Sequence, residues 1–155
     1  MPTTSVADTL AALRAWLRWL VLLGLFGTAV ELILIGHDED RLQFIPLASI
    51  AVAMLAVGWT MVSRAAGRAG ALRVFQAAMV QLIVVGAAGC VIHYRANMEF
   101  KLEMDPSMSG FRLFSSVMRA KAPPALAPGN LALLGLLGLA AAFRLDEKGV
   151  RDVSL

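Results

Sequence analysis

The side chains able to do chemistry in this chain are few, and most of them fall into two short groups. His37 and His93 are the only histidines. Asp38, Glu39 and Asp40 follow the first; Asn97, Glu99 and Glu103 follow the second. Glu31 stands six residues before His37, about 9 Å away along a helix, inside an otherwise apolar run. Two imidazoles with several carboxylates form a reasonable ligand set for zinc, iron, manganese or copper(II), and Met98, Met104 and Met108 would suit copper(I). The candidate metal ligands are therefore His37, His93, Glu31, Glu99 and Glu103, with Asp38, Asp40 and Asn97 as further polar candidates. Their spacing matches no established metal motif. On a regular helix His37 points about 120° away from Glu31, and it turns inward only if Gly36 closes the helix in a left-handed cap. The simpler reading is a pair of solvated interfacial imidazoles, His37 being favoured by the dipole of a helix C-terminus.

Other chemistries fare worse. Bis-histidine haem ligation would have to use His37 and His93, and both fall at helix ends, where the haem edge would be wet. The cofactor is thus unassigned, with a metal ion fitting better than haem. No serine or cysteine motif accompanies either histidine, which argues against nucleophilic hydrolysis. Cys90 is the single cysteine, so an intramolecular disulfide and a CxxC redox or zinc site are excluded; its ordinary role is a small apolar residue in a helix. These points favour a protein that is not an enzyme.

The elements that must position these residues are membrane helices. Apolar residues make up 59% of the chain and charged ones 16%, against about half and a quarter in soluble domains. Four windows are nearly free of charge: 19–37, interrupted only by Glu31, and those between Arg41 and Arg64, Arg73 and Arg95, and Lys121 and Arg144. Each can cross a hydrocarbon core of about 30 Å, and isolated spans must be helical because lipid offers the backbone no partners. The expectation is an all-α membrane protein: a four-transmembrane-helix bundle forming a single membrane domain over 1–155. Its spans lie near 16–37, 43–63, 72–94 and 124–143, with an outer loop over 95–123. Arg14 and Arg18 resemble a signal-peptide flank, but Glu31 and the acidic run after it leave no cleavage pattern, so the first span is expected to be retained.

Basic residues orient the bundle. Arg14, Arg18, Arg64, Arg68, Arg73 and the tail cations flank one side, whereas the first loop on the other is acidic apart from Arg41. Both termini are then cytoplasmic, in a cell (inner) membrane. The net charge of +3 is spread along span ends with no basic stripe, which argues against nucleic acid.

In the outer loop, residues 97–104 alternate polar and apolar. Period two favours a strand; the rival is an extension of helix three with Arg95 and Glu99 one turn apart. Asp105-Pro106 reads as an N-cap and first helical residue. The short amphipathic helix that follows, with Phe111, Phe114, Val117 and Met118 on one side, would lie on the outer membrane surface. The fourth span must start near Pro124, or else be partly unwound with amides free near Gly129, because a helix from Asn130 covers only about 21 Å before Arg144.

Small residues form helical stripes: Gly24, Gly27 and Thr28 with Glu31 in the first span, Gly86 and Gly89 with His93 and Asn97 in the third, and Gly135, Gly138 and Ala142 in the fourth. Such stripes allow close helix approach. The stripes of the first and third spans are expected to pack together, bringing His93 near Glu31, Asp38 or His37 at the outer end of the bundle. An acid near a span's centre costs about 2.5–3.5 kcal/mol on insertion scales, so Glu31 should face the interior or reach the outer interface. A lone acid in the first of four spans resembles the small multidrug-resistance transporters. That likeness covers those two features only, and the long outer loop departs from it; it implies proton-coupled transport through Glu31 in an oligomer. The favoured expectation is a non-enzymatic accessory subunit docking another membrane protein, or a second copy, through its outer loop. The alternatives are a metal-handling protein using the outer His/carboxylate cluster and a small proton- or ion-coupled transporter.

Overall fold

The first helix begins where Ser5 and Asp8 build a capping box. Ser5 Oγ accepts from the Asp8 amide at 3.1 Å, and the Asp8 carboxylate accepts from the Ser5 amide at 3.3 Å, so two orphan donors of the helix start are satisfied. The computed structural model describes residues 5–36, 42–63, 68–120 and 126–143. Among them all regular structure is helical: α1 (Val6–Leu34), α2 (Phe44–Val62), α3 (Arg68–Met104), α4 (Gly110–Met118) and α5 (Ala127–Ala142). Three of these, α1, α2 and α3, are long and apolar enough to cross a membrane. Their outward faces carry Leu23, Phe26, Leu55 and Val84, all exposed. Helices apolar on every face suit a lipid surround. The 16 residues of α5 measure about 24 Å. It starts at Ala127 with Pro128 in its first turn, where a missing N–H leaves no bond unmade.

The helices pack in a ring: α1 neighbours α2 and α5, and α3 neighbours the same two. Val21 and Leu25 of α1, Ile50 and Val57 of α2, Phe75, Met79 and Leu82 of α3, and Leu131 and Leu134 of α5 share one core. The expected pairing of the first and third glycine stripes does not occur, because α1 and α3 are not neighbours. The α3 stripe meets α5 instead. A Cβ at Gly86 would lie 2.5 Å from Pro128 O and 2.7 Å from Ala132 N, and one at Gly135 would lie 2.6 Å from Met79 O. Here two backbones touch, and only glycine fits. Gly24 of α1 faces Leu134 on α5, so α5 is the helix on which α1 and α3 both close.

Polar side chains also join neighbouring helices. Asn130 Nδ2 donates to Thr28 Oγ1 at 2.6 Å between α5 and α1, and Gln81 Nε2 donates to Ser49 Oγ at 3.3 Å between α3 and α2.

Beyond the core the structure departs from the expected strand. Residues 97–104 continue α3 without a break. A single strand there would have no partner for its backbone, whereas a helix satisfies itself; the period-two pattern is overridden. Asp105 is not a helix cap either. Its Oδ1 accepts from the Ser107 amide at 3.1 Å and from the Ser107 hydroxyl at 2.6 Å, an Asx turn that ends α3. The amphipathic helix therefore starts at Gly110, whose φ of 53° is left-handed and unstrained in glycine. α4 packs back on α3, with the Tyr94 and Phe114 ring centroids 6.2 Å apart, an Arg112–Asp105 ion pair at 3.6 Å and Val117 fully buried.

Candidate functional site

At the end of the ring where α1 finishes and α5 begins, Glu31 lies in the last turn of α1, because that helix stops at Leu34 and Gly36 turns left-handed at φ 70°. It thus sits at the end of that helix rather than near its centre. The interior position expected for it belongs to Thr28, which is buried and bonded to Asn130. Glu31 itself is exposed at the rim of an open groove of about 470 Å³, shared with Leu126, Ala127, Gly129, Asn130 and Leu133. The first amides of α5 have no intrahelical acceptor, and the positive end of that helix favours a carboxylate beside it.

The other sequence candidates are distributed along α3. His93 and Asn97 are half-buried, Glu99 and Glu103 exposed. On a continuous helix the two glutamates lie about 120° and 80° around the axis from His93, a separation that alternation along a strand would not have indicated. Glu31 and His93 belong to helices that are not neighbours. Among the described residues no three His, Cys, Asp or Glu side chains gather as a metal ion would require. His37, Asp38 and Asp40 lie outside the described residues.

The α3 face that receives α5 runs on past it. Counting 100° per residue, Gly86, Gly89, His93, Asn97, Phe100 and Met104 fall within about 80° of one another. Pro128 packs at Gly89, near the start of α5. Phe100 and Met104, one turn apart beyond that level, are 58% and 68% exposed, and Phe111 on α4 is 81% exposed. The Ser107 hydroxyl and amide, helped by Arg112 nearby, hold the Asp105 carboxyl below its ordinary 3.8, so at neutral pH it is ionised and accepts both bonds.

At the opposite end the four apolar helices border a half-open cavity of about 440 Å³, lined by Arg14 and Arg18 of α1, Thr60 of α2 and Ser63 just after it, Leu72 of α3 and Ala141 of α5 among others. Arg14 Nη2 donates to Phe143 O at 2.6 Å, tying α1 to the end of α5. Arg18 Nε is buried without a hydrogen-bond partner. In the sequence these arginines read as orienting flanks only. Their i, i+4 spacing is the visible signal, but nothing in the sequence places α2 and α5 around them.

No family model, curated protein or solved structure matches the chain.

Proposed function

We propose that this chain is a four-span, non-enzymatic subunit of the cell membrane, with cytoplasmic termini, that docks another membrane protein through its outer hairpin. The observation that carries the reading is the continuation of the α5-packing face of α3 into Phe100 and Met104, both exposed, with a further exposed phenylalanine, Phe111, on α4. On the reading that the hairpin projects beyond the lipid, exposed large apolar side chains there mark an interaction site, and aromatic side chains with methionine are enriched at interface centres. The hairpin that presents them is held by the Tyr94–Phe114 contact and the Asp105 turn, so little order remains to be imposed on binding.

The test is co-purification in mild detergent, with the bound chains identified by mass spectrometry. Wild type should retain a stoichiometric membrane partner. Phe100→Ser with Phe111→Ser should lose it while the helical circular dichroism is kept, and Glu31→Gln should retain it. A wild type that runs without any partner would end this reading.

A second reading, proton- or ion-coupled transport through Glu31, draws support from the groove that Glu31 shares with Asn130 and the start of α5. It requires Glu31→Gln to abolish function with the fold intact. Metal handling at the outer face through His37, His93, Glu31, Glu99 and Glu103 has less support: its described members sit on non-neighbouring helices or on different faces of α3.

A further inference from the structure

The cavity between the inner ends of α1, α2, α3 and α5 has the make-up of an anion site. Two guanidinium groups, Arg14 and Arg18, line it from consecutive turns of α1, and no carboxylate is among its described lining residues. Arg14 is half engaged, giving Nη2 to Phe143 O. Arg18 has its Nε sequestered from solvent and bonded to nothing. Leaving such a donor unmade in a buried place is costly, and a guanidinium is never deprotonated to relieve it. A guanidinium fork matches the oxygens of a phosphate two at a time, so an occupant with phosphate oxygens would satisfy Arg18 Nε and the free donors of both residues together.

The surroundings favour a lipid source for that phosphate. All three tryptophans of the chain, Trp16, Trp19 and Trp59, lie at this end of the helices, and all three are exposed. Tryptophan concentrates at the headgroup level of a bilayer, which puts Arg14 and Arg18 at the same depth. The cavity wall is mixed, with Met61, Leu72, Ala141 and Ala142 beside the arginines and hydroxyls, as a charged headgroup carrying a glycerol backbone would need. The volume falls within the roughly 300–1,000 Å³ of ligand pockets. Basic pockets between membrane helices on the cytoplasmic side accept anionic headgroups.

We propose that Arg14 and Arg18 bind the phosphate of an anionic phospholipid in this cavity. The proposal needs only that this end of the helices lies at a membrane surface, and it stands whether or not the outer hairpin docks a partner. The experiment follows tryptophan fluorescence of the full chain in zwitterionic phosphatidylcholine nanodiscs while phosphatidylglycerol is raised, with inorganic phosphate titrated in a second arm. Saturable binding of phosphatidylglycerol is expected. Arg18→Gln should weaken it about tenfold or more, as the loss of a charge-assisted bond implies. Arg18→Lys should weaken it less, keeping the charge but not the fork. Saturation by inorganic phosphate, with none by phosphatidylglycerol, would overturn the lipid source. No saturable response to either probe in wild type, which needs no variant to fold, would overturn the site itself. So would unchanged phosphatidylglycerol affinity in Arg18→Gln.

Discussion

Individual residues differ sharply in how much their surroundings constrain them, and the glycines make this measurable. A Cβ at Gly86 would meet backbone atoms of Pro128 and Ala132, neither of which can swing aside, whereas one at Gly27 would meet nothing within 4 Å. Gly86→Ala is therefore expected to destabilise by about 1–3 kcal/mol through overpacking. Gly27→Ala is expected to be neutral or to stabilise by up to about 1 kcal/mol through helix propensity. Reversible unfolding in mixed micelles separates the two; equal effects would mean α3 and α5 do not touch as described. Asn130 and Thr28 offer a second comparison. Their bond joins α5 to α1, and a double-mutant cycle with Asn130→Ala and Thr28→Val should return a coupling of about 0.6–1.7 kcal/mol. A coupling near zero would remove that bond from the account of how α1 and α5 are held. Both glycine stripes were visible in the sequence, because their spacing is local. Their pairing was not, since a stripe permits close approach without naming the helix that approaches.

Among the elements, the apolar runs were legible because lipid leaves a helix as the only way to satisfy an isolated backbone. The segment 97–104 was not. Its alternation is a statement about side chains, and the backbone's need for partners outweighed it. The cap at Asp105 was misread for a related reason: an Asx turn and an N-cap use the same residue types, and only the bonds to Ser107 distinguish them. That turn has a pH signature. Asp105 titrates below 3.8 in the folded hairpin, mainly because of Ser107. A carboxyl whose folded value is depressed contributes stability that is complete above its unfolded value and is lost as pH falls through the folded one. Protection factors of the amides across 105–118, with the intrinsic pH dependence of exchange divided out, should thus be constant at pH 5 and above and fall only below about 3.8. Ser107→Ala should raise the Asp105 pKa toward its ordinary value, loosening the hairpin already at neutral pH and removing most of this pH dependence. Protection factors that fall already between pH 7 and 5 would point to a different titrating group.

At the scale of the whole molecule, the sides of the membrane decide which surface meets which partner, and topology is the last expectation to be argued. The cavity gathers the start of α1, the end of α2, the start of α3 and the end of α5, while the groove gathers the end of α1 with the start of α5, so successive long helices alternate in direction. The exposed tryptophans and Arg14, Arg18 and Arg73 belong to the first end, and the expectation from the distribution of basic residues is that this end is cytoplasmic. With Cys90 replaced by Ala the chain has no thiol, and single cysteines can then be placed at Ser63, Ser109 and Leu155. Ser63 precedes α3 and Ser109 follows it, so these two must label from opposite faces, Ser63 from the cytoplasm. Leu155 tests α5 separately. Its 16 helical residues reach about 24 Å against a core of about 30 Å, a mismatch that bilayer thinning or further turns at either end can absorb at a cost of fractions of a kcal/mol per Å. The interhelical bond to Thr28 and the backbone contact with α3 hold α5 inside the ring, not on its surface, so Leu155 should label from the same face as Ser63. Labelling of Leu155 together with Ser109 would make α5 a re-entrant helix, leaving three crossings and a carboxyl terminus on the outer side.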